Sequence, residues 1–283
     1  MGAPEITGAT YAVELLFESD YDLASPELHA TLRARCPSAD VQAAGQSIAL
    51  FHRDAPIQLK DALICAQTRI LGTDAAVAFQ QLEPVLQQTR DWPAVRDVVA
   101  RAKRQLLVTD LMTSSLPAPR RLEVFQRALA AVVNAMRPSA IAWTAANKLV
   151  DPVRFVDAMD SRDPVDRLVL ALNVRMFNVG NRPGETVMDT MGLASLGLPD
   201  LQVHSTGLEP NDIARHLFNS ALYVLEKGDV IADGQTIDGI PRGAKWRCQH
   251  EASLVGPSRV VLDIDPGPPF AAGNRKSHGD APS

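Results

Sequence analysis

The chain has 283 residues, of which 46% are hydrophobic and 22% charged, a composition that excludes disorder over the whole length. Its formal net charge of −5 disfavours nucleic acid as the main partner, because phosphate binding needs a basic face. Three scattered cysteines form neither a disulfide framework nor a zinc motif, and no apolar stretch approaches the roughly 20 residues of a membrane helix. The N-terminus lacks a signal-peptide pattern, so we expect a cytoplasmic protein with no membrane partner.

Residues 1–113 are predicted to form one α+β module. The apolar run Tyr11–Phe17 is typical of a strand, and Ser25-Pro26 is a typical helix start, since serine caps free N–H groups and proline tolerates the first turn. Further strands are predicted at Ser47–His52, Leu59–Gln67 and Leu106–Met112, and helices at Asp74–Gln88 and Asp91–Arg104. The resulting order, β-α-β-β-α-β, is that of a ferredoxin-like module.

A strongly amphipathic helix is predicted at Arg120–Met136, after a short linker with two prolines. Its apolar stripe recurs at helical spacing and comprises Leu122, Phe125, Leu129, Val132, Val133 and Met136. The basic residues Arg120, Arg121 and Arg127 lie elsewhere on the helix, and we expect them on its solvated surface.

The same order of elements recurs in residues 114–265. Strands are predicted at Ala140–Ala145, Leu168–Phe177, Thr186–Met191 and Asp229–Ala232, and helices begin at Asp151-Pro152 and Glu209-Pro210. Two last strands are predicted at Trp246–His250 and Arg259–Ile264. We therefore predict a second ferredoxin-like module, which either folds separately or shares one core with the first. Residues 266–283 are rich in Pro, Gly and polar residues and are predicted to be a disordered tail.

The short motifs that usually carry catalysis or cofactor binding are missing from the sequence. The histidines and cysteines lack the spacing of metal ligands, and there is no HExxH segment. The Gly-x-Ser-x-Gly nucleophile elbow and the glycine-rich phosphate loops are also absent. We therefore predict a protein that is not an enzyme and that holds no metal and no cofactor.

The most distinctive part of the sequence is the run Met188–His204, MDTMGLASLGLPDLQVH. Glycines and a proline interrupt an otherwise apolar stretch, which predicts a tight loop between strands. The candidate binding residues in this loop are Asp189, Thr190, Gly192, Gly197, Pro199, Asp200 and His204. Asp189 and Asp200 have a simpler alternative role, in which they only hold the turns of the loop.

This run resembles the Asp-Thr-x-Gly…Gly-Leu-Pro-Asp signature of a bacterial family of unknown function, DUF4261. The strand Tyr11–Phe17 and the segment Asp233-Gly234-Gln235-Thr236-Ile237 also fit that family, so the resemblance extends over Tyr11–Asp265. It implies an α+β fold. For some relatives it also implies genes beside polymorphic or type VI secretion toxins, where such proteins are cytosolic immunity factors. The family has no established catalytic residues, so the resemblance assigns none here.

Two functional hypotheses from different classes follow. In the first, the chain is an immunity protein that binds a cognate toxin and covers its active cleft, as the missing catalytic set, the acidic charge and the resemblance suggest. In the second, Asp189, Thr190, Asp200 and His204 line a pocket of a small-ligand-binding module or hydrolase, with an acid and an imidazole for proton transfer. A homodimer fits either hypothesis, because symmetric dimers are the commonest oligomers.

Overall fold

A computed structural model describes residues 11–75, 77–89, 91–161 and 163–273. The predicted α+β class is confirmed, since these residues form seven α-helices and two β-sheets. They divide into two compact units. The N-terminal unit comprises residues 11–173 and 192–198, and the C-terminal unit comprises residues 174–191 and 199–273.

The N-terminal unit is built on a seven-stranded sheet with strand order β2-β3-β4-β5-β1-β6-β7, in which every neighbouring pair is antiparallel. Its strands are β1 (Ala12–Phe17), β2 (Ala39–Ala44), β3 (Ser47–Gln58), β4 (Leu63–Gly72), β5 (Arg104–Leu111), β6 (Ala140–Trp143) and β7 (Lys148–Val150). Its helices are α1 (Pro26–Arg35), α2 (Phe79–Gln88), α3 (Val95–Ala100), α4 (Ala118–Met136), α5 (Pro152–Asp160) and α6 (Pro164–Ala171).

The strand order differs from that of a ferredoxin-like module. In a split β-α-β arrangement, another strand lies between the two strands that a helix connects. Here α2 and α3 connect β4 directly to its neighbour β5, and β1 pairs on the far side of β5. The unit also extends past residue 113, because β6 pairs with β1 and β7 pairs with β6.

The predicted amphipathic helix is confirmed as α4, and Leu122, Phe125, Leu129 and Val132 of its stripe are buried. The expected solvent position of Arg121 is wrong. Its side chain is 3% exposed, and its Nε donates to Oδ2 of Asp110 at 2.6 Å. Arg121 can leave water because this carboxylate, with an exposure of 3%, balances its charge.

Aromatic side chains connect α4 to the sheet in the core of the N-terminal unit. The ring of Tyr11 meets that of Phe125 edge to face at a centroid distance of 5.0 Å. The indole Nε1 of Trp143 donates to the hydroxyl of Tyr11 at 2.8 Å, so both buried polar atoms have a partner. Edge-to-face pairs of this kind contribute about 0.5–1.5 kcal/mol beyond their buried area.

The C-terminal unit has a six-stranded sheet with strand order β11-β12-β13-β10-β9-β8, in which β10 and β13 are parallel. Its elements are β8 (Asn173–Asn178), β9 (Glu185–Met191), β10 (Asp200–Thr206), α7 (Pro210–Lys227), β11 (Thr236–Asp238), β12 (Lys245–Ala252) and β13 (Val260–Asp265). Ile213, Leu217 and Ala221 form the buried side of α7, as their helical spacing predicts.

The second β-α-β-β-α-β order is not present in the C-terminal unit, where three strands precede α7 and three follow it. The predicted strand Leu168–Phe177 divides into the end of α6 and β8, and Asp229–Ala232 is not a strand. Of the predicted tail, residues 274–283 lie outside the described residues. Residues 266–273 run beside β10, where Ala271 forms a β-bridge with Ser205. No helix in the described ranges is long and apolar enough to cross a membrane.

Candidate functional site

A row of buried polar side chains crosses the central strands of the C-terminal unit. The register places Asp189 of β9 opposite Gln202 of β10, and Gln202 beside Asp263 of β13. Residues at matching positions of neighbouring strands point to the same face, so these side chains form one row. None of the three is more than 4% exposed. Two acids therefore lie in the interior, where a charge needs a partner.

Two arginines surround the carboxylate of Asp189. Nε of Arg175 donates to its Oδ1 at 2.9 Å, and Nη2 of Arg259 donates to its Oδ2 at 2.6 Å. The three side chains are no more than 9% exposed. Pairs between guanidinium and carboxylate groups are strong because both partners are charged, and burial reduces their screening by salt.

Arg259 joins β9 to β10 and to the turn before β13. Its Nε donates to Oδ2 of Asp200 at 3.0 Å, and its Nη1 donates to the carbonyl of Pro257 at 2.9 Å. The hydroxyl of Thr190 donates to Oδ1 of Asp200 at 3.2 Å and accepts from the amide of Leu201 at 2.8 Å. One guanidinium thus holds three segments of the chain in register.

Gln202 connects the same row to the turn between β12 and β13. Its Nε2 donates to Oδ1 of Asp263 at 3.1 Å, and its Oε1 accepts from the amide of Leu254 at 2.8 Å. We call the whole set the buried network, and its members are Arg175, Asp189, Thr190, Asp200, Gln202, Arg259 and Asp263. Its side chains bond to one another and to backbone atoms, which is the arrangement expected of structural groups.

His204 occupies a different position from the other predicted polar residues. It lies opposite Val187, one row along β10 from the pair of Gln202 and Asp189. Its Nε2 is 2.7 Å from Oε1 of Glu185, and its ring is covered by Gly273. A Cβ atom at residue 273 would lie 2.6 Å from Nδ1 of His204, so only glycine fits there.

The glycines of the predicted loop belong to the N-terminal unit, within residues 192–198. Gly192 has a φ of 137°, and a Cβ atom there would lie 2.3 Å from the carbonyl oxygen of Ala171. Gly197 has a φ of 82° and open space around it, and Pro199 precedes β10 in the C-terminal unit. Of the seven predicted residues, the structure brings Asp189, Thr190 and Asp200 into direct contact through the buried network.

Sequence reasoning missed the four other members of the buried network, which are Arg175, Gln202, Arg259 and Asp263. One signal was present. Asp189 and Asp263 each lie inside a predicted apolar strand, and a buried acid needs a basic partner. Arg175 and Arg259 also lie within predicted strand segments, so they are the natural partners. The pairing itself depends on strand order, which short-range patterns do not give.

A groove lies between helix α7 and the edge strand β11. It has a volume of about 490 Å³ and is lined by residues that include Tyr223, Ile231, Thr236 and Ile237, and we call it the α7–β11 groove. Tyr223 is 48% exposed. His216 also lines the groove, packs edge to face against Trp246, and has its pKa lowered by burial. A neutral imidazole and the side chains of Tyr223, Ile231 and Ile237 give the groove a partly apolar lining.

The strand β11 is at the edge of its sheet, and half of its backbone groups point outward. The amide of Cys248 donates to the carbonyl of Gln235, and the amide of Gly239 donates to the carbonyl of Ala244. Residues 235, 237 and 239 therefore face β12, because hydrogen bonding alternates along an antiparallel strand. The N–H and C=O groups of Thr236 and Asp238 consequently point away from the sheet.

Within the described ranges, neither the thiols of Cys36 and Cys248 nor a cluster of metal-ligating side chains forms a reactive centre. Burial, together with the negative charge of Asp263, raises the pKa of the Cys248 thiol to about 11. Burial also raises the pKa of Cys36. Thiols of this kind are poor nucleophiles at neutral pH. Across residues 11–273, gaps aside, no three His, Cys, Asp or Glu side chains are grouped to hold a metal ion.

Comparison with known proteins bears on the same part of the chain. No curated protein and no solved structure matches it. A family model described as "Domain of unknown function (DUF4261)" matches residues 189–265. The matched segment begins at Asp189 and contains every member of the buried network except Arg175. Over the rest of Tyr11–Asp265 the resemblance stays a prediction. The match supports an assignment of residues 189–265 to the DUF4261 family.

Proposed function

We propose that this chain is a non-enzymatic protein-binding protein, a cytoplasmic immunity protein that binds and neutralises a cognate secreted toxin. The α7–β11 groove is the proposed binding surface, and an extended segment of the toxin is its occupant. The bacterial setting and the type VI secretion context come from the family resemblance, which the DUF4261 match supports only at the level of the family.

The edge strand β11 is the observation that carries the proposal. A partner strand that adds to a sheet edge needs outward N–H and C=O groups at alternate residues, and Thr236 and Asp238 supply them. Exposed edges are normally protected by proline, by inward charges or by a cover. In β11 the residue between these two is Ile237, which lines the groove beside the edge.

The side chains around this edge provide pockets for a bound strand. Successive residues of a strand point to opposite faces, so alternate side chains of the partner would enter the α7–β11 groove. Tyr223 of α7 is an exposed aromatic anchor, and aromatic residues dominate the binding energy of protein interfaces. Asp238 and Lys245 at the rim pair with each other, which leaves the groove without excess charge.

The buried network supports the non-enzymatic part of the proposal. The carboxylates of Asp189 and Asp200 accept from arginines in the interior, and Thr190 bonds to Asp200 and to the backbone of Leu201. General acid–base catalysis needs a group within hydrogen-bond reach of a substrate. Acids enclosed by arginines and exposed by 1% or less are poorly placed for that task.

The proposal is tested by co-expressing the chain with the toxin encoded beside it and measuring growth and complex formation. We expect rescue by the wild-type chain and loss of rescue with Thr236→Pro, which removes an outward N–H but no hydrogen bond of the sheet. Tyr223→Asp should act similarly. Val153 is 69% exposed on α5 of the N-terminal unit, so Val153→Asp is the matched control and should rescue growth.

Other outcomes would favour other hypotheses. A neighbouring toxin that neither binds nor is neutralised contradicts the immunity function. Hydrolytic activity that is lost in Asp200→Asn, with the fold retained, would favour the small-ligand or hydrolase hypothesis. A second copy of the chain could use the same edge, and light scattering of the chain alone, with and without Thr236→Pro, identifies such a homodimer.

A further inference from the structure

The N-terminal unit has a second concave site, which the proposed function does not use. A cavity of about 100 Å³ is lined by Arg35 at the end of α1, by Gln126 and Arg127 of α4, and by Arg167 of α6. We call it the arginine cavity. Three guanidinium groups around one small cavity are unusual, because like charges repel unless something between them compensates.

The arginine cavity offers hydrogen-bond donors that the described residues leave unused. Nη2 of Arg127 donates to Oδ2 of Asp54 at 2.8 Å. Its Nε is buried and has no oxygen acceptor among the described residues, although the thiol of Cys36 lies close to the same guanidinium. Within the described ranges the guanidinium of Arg167 also has no ion pair and no hydrogen bond, although its backbone carbonyl accepts from Gln126. Buried donors in native proteins almost always have a partner.

The same cavity contains one buried acceptor. Gln126 is 1% exposed, and its Nε2 donates to the carbonyl oxygen of Arg167 at 3.0 Å. The described part of the chain supplies no donor to its Oε1, which is fully buried. A buried amide oxygen without a donor costs about 1–3 kcal/mol. A ligand that satisfies this cavity must therefore both accept from arginine and donate to an amide oxygen.

The charges around the arginine cavity do not cancel. Arg35 pairs with Asp160, and Asp54 lies between Arg120 and Arg127. Glu123, which also lines the cavity, pairs with Arg120. The three carboxylates of Asp54, Glu123 and Asp160 thus balance Arg35, Arg120 and Arg127, and the positive charge of Arg167 has no carboxylate partner among the described residues. A singly or doubly charged anion would complete the cluster.

We propose that the arginine cavity binds a phosphate group that retains a P–OH. Arginine is suited to phosphate because its fork of N–H donors matches the oxygens of a tetrahedral anion. Inorganic phosphate keeps at least one P–OH near neutral pH, and this hydroxyl can donate to Oε1 of Gln126. Sulfate has the same shape and carries no proton at that pH, so it leaves Oε1 of Gln126 without a donor.

The test is isothermal titration of the full chain with inorganic phosphate and with sulfate at equal ionic strength and pH 7. We expect phosphate to bind about tenfold or more tightly than sulfate, because phosphate makes the hydrogen bond to Oε1 of Gln126 that sulfate cannot make. Arg167→Gln removes a guanidinium without a partner among the described residues, so the fold should persist while the phosphate affinity falls about tenfold or more. Gln126→Leu should bring the two anions to similar affinity.

A matched control comes from the exposed Arg33 on α1, which does not line the cavity. Arg33→Gln makes the same change in net charge and should leave phosphate binding within about twofold, since an exposed charge that does not line the cavity is largely screened by salt. No phosphate binding at millimolar concentration, or equal loss in Arg33→Gln and Arg167→Gln, would overturn the proposal. Titration with glycerol 3-phosphate and with inorganic phosphate at about pH 5.5, where both keep a P–OH, identifies the source of the group. Equal affinity indicates a phosphorylated molecule as the ligand, and weaker affinity indicates inorganic phosphate.

Discussion

Replacement of Arg259 by methionine tests the structural role of the buried network. Methionine fills most of the volume of arginine but cannot donate, so Asp189 and Asp200 each lose a charged partner at 2.6 and 3.0 Å. Removal of one partner from a buried ion pair costs about 3–5 kcal/mol, because the remaining charge stays desolvated. That is a large share of the roughly 5–15 kcal/mol that stabilises a typical protein.

The free energy of unfolding is measured by urea denaturation of the full chain, followed by circular dichroism and tryptophan fluorescence. The matched control is Arg215→Met on α7, because Arg215 pairs with Asp212 at the surface and is 71% exposed. Exposed pairs of this kind contribute less than about 1 kcal/mol. The coupling between Arg259→Met and Asp200→Asn should reach about 1–3 kcal/mol in a double-mutant cycle.

A stabilising role of the buried network is refuted if Arg259→Met is no more destabilising than Arg215→Met. It is also refuted if the effects of Arg259→Met and Asp200→Asn simply add, because residues in one network must couple. Either result would mean that water or a rearranged backbone satisfies the acids. The motif would then be available for a role other than structure.

Three further predictions concern single residues. Gly192→Ala should destabilise the chain by more than about 3 kcal/mol, because it adds a backbone clash to a strained φ. Gly197→Ala, at a position with open space around it, should cost about 1 kcal/mol. Equal melting temperatures of the two variants would contradict this prediction. Burial and the charge of Arg127 lower the pKa of His52 to about 4, so the unfolded chain binds the extra proton below pH 6.5, and about 2 kcal/mol of stability should be lost between pH 7.5 and 5. Denaturation at several pH values across this range should show that the free energy of unfolding of His52→Gln depends less steeply on pH than that of the wild-type chain. An unchanged pH dependence would argue against the lowered pKa of His52. A thiol reagent at pH 8 should label the half-buried Cys65 first and the buried Cys248 only after unfolding. Mass spectrometry of the labelled peptides measures this order, and labelling of Cys248 in the folded chain would contradict it.

The parts of the fold that local patterns determine could be predicted from the sequence. The stripe of Leu122, Phe125 and Leu129 repeats every three or four residues, so α4 follows from periodicity alone. The strand Ala39–Ala44 has no buried residue, and Val41 is its one strongly apolar residue, so the sequence offers only a weak signal for it. The strand order could not be predicted for a different reason. β1 pairs with β5, which is about 90 residues away in sequence, and local patterns carry no information about such long-range pairing.

The candidate site was predictable in its outline but not in its chemistry. The glycines of Met188–His204 marked a tight loop, and Gly192 does approach the backbone of Ala171. The acids Asp189 and Asp200 were recognised, with turn formation as the simpler alternative. Their actual partner, Arg259, is 59 residues from Asp200 and 70 residues from Asp189 in sequence, and the parallel pairing of β10 with β13 brings it close. Ion pairs set by tertiary structure leave no local pattern.

Amide hydrogen exchange in the presence of the cognate toxin is the sharpest test of recognition through the edge of β11. The amides of Thr236 and Asp238 face away from the sheet, so in the isolated chain they should exchange rapidly. In the complex, we expect slow exchange at both of these amides and at the outward face of α7 near Tyr223. Unchanged exchange at Thr236 and Asp238, with new protection confined to other surfaces, would contradict recognition through the edge of β11.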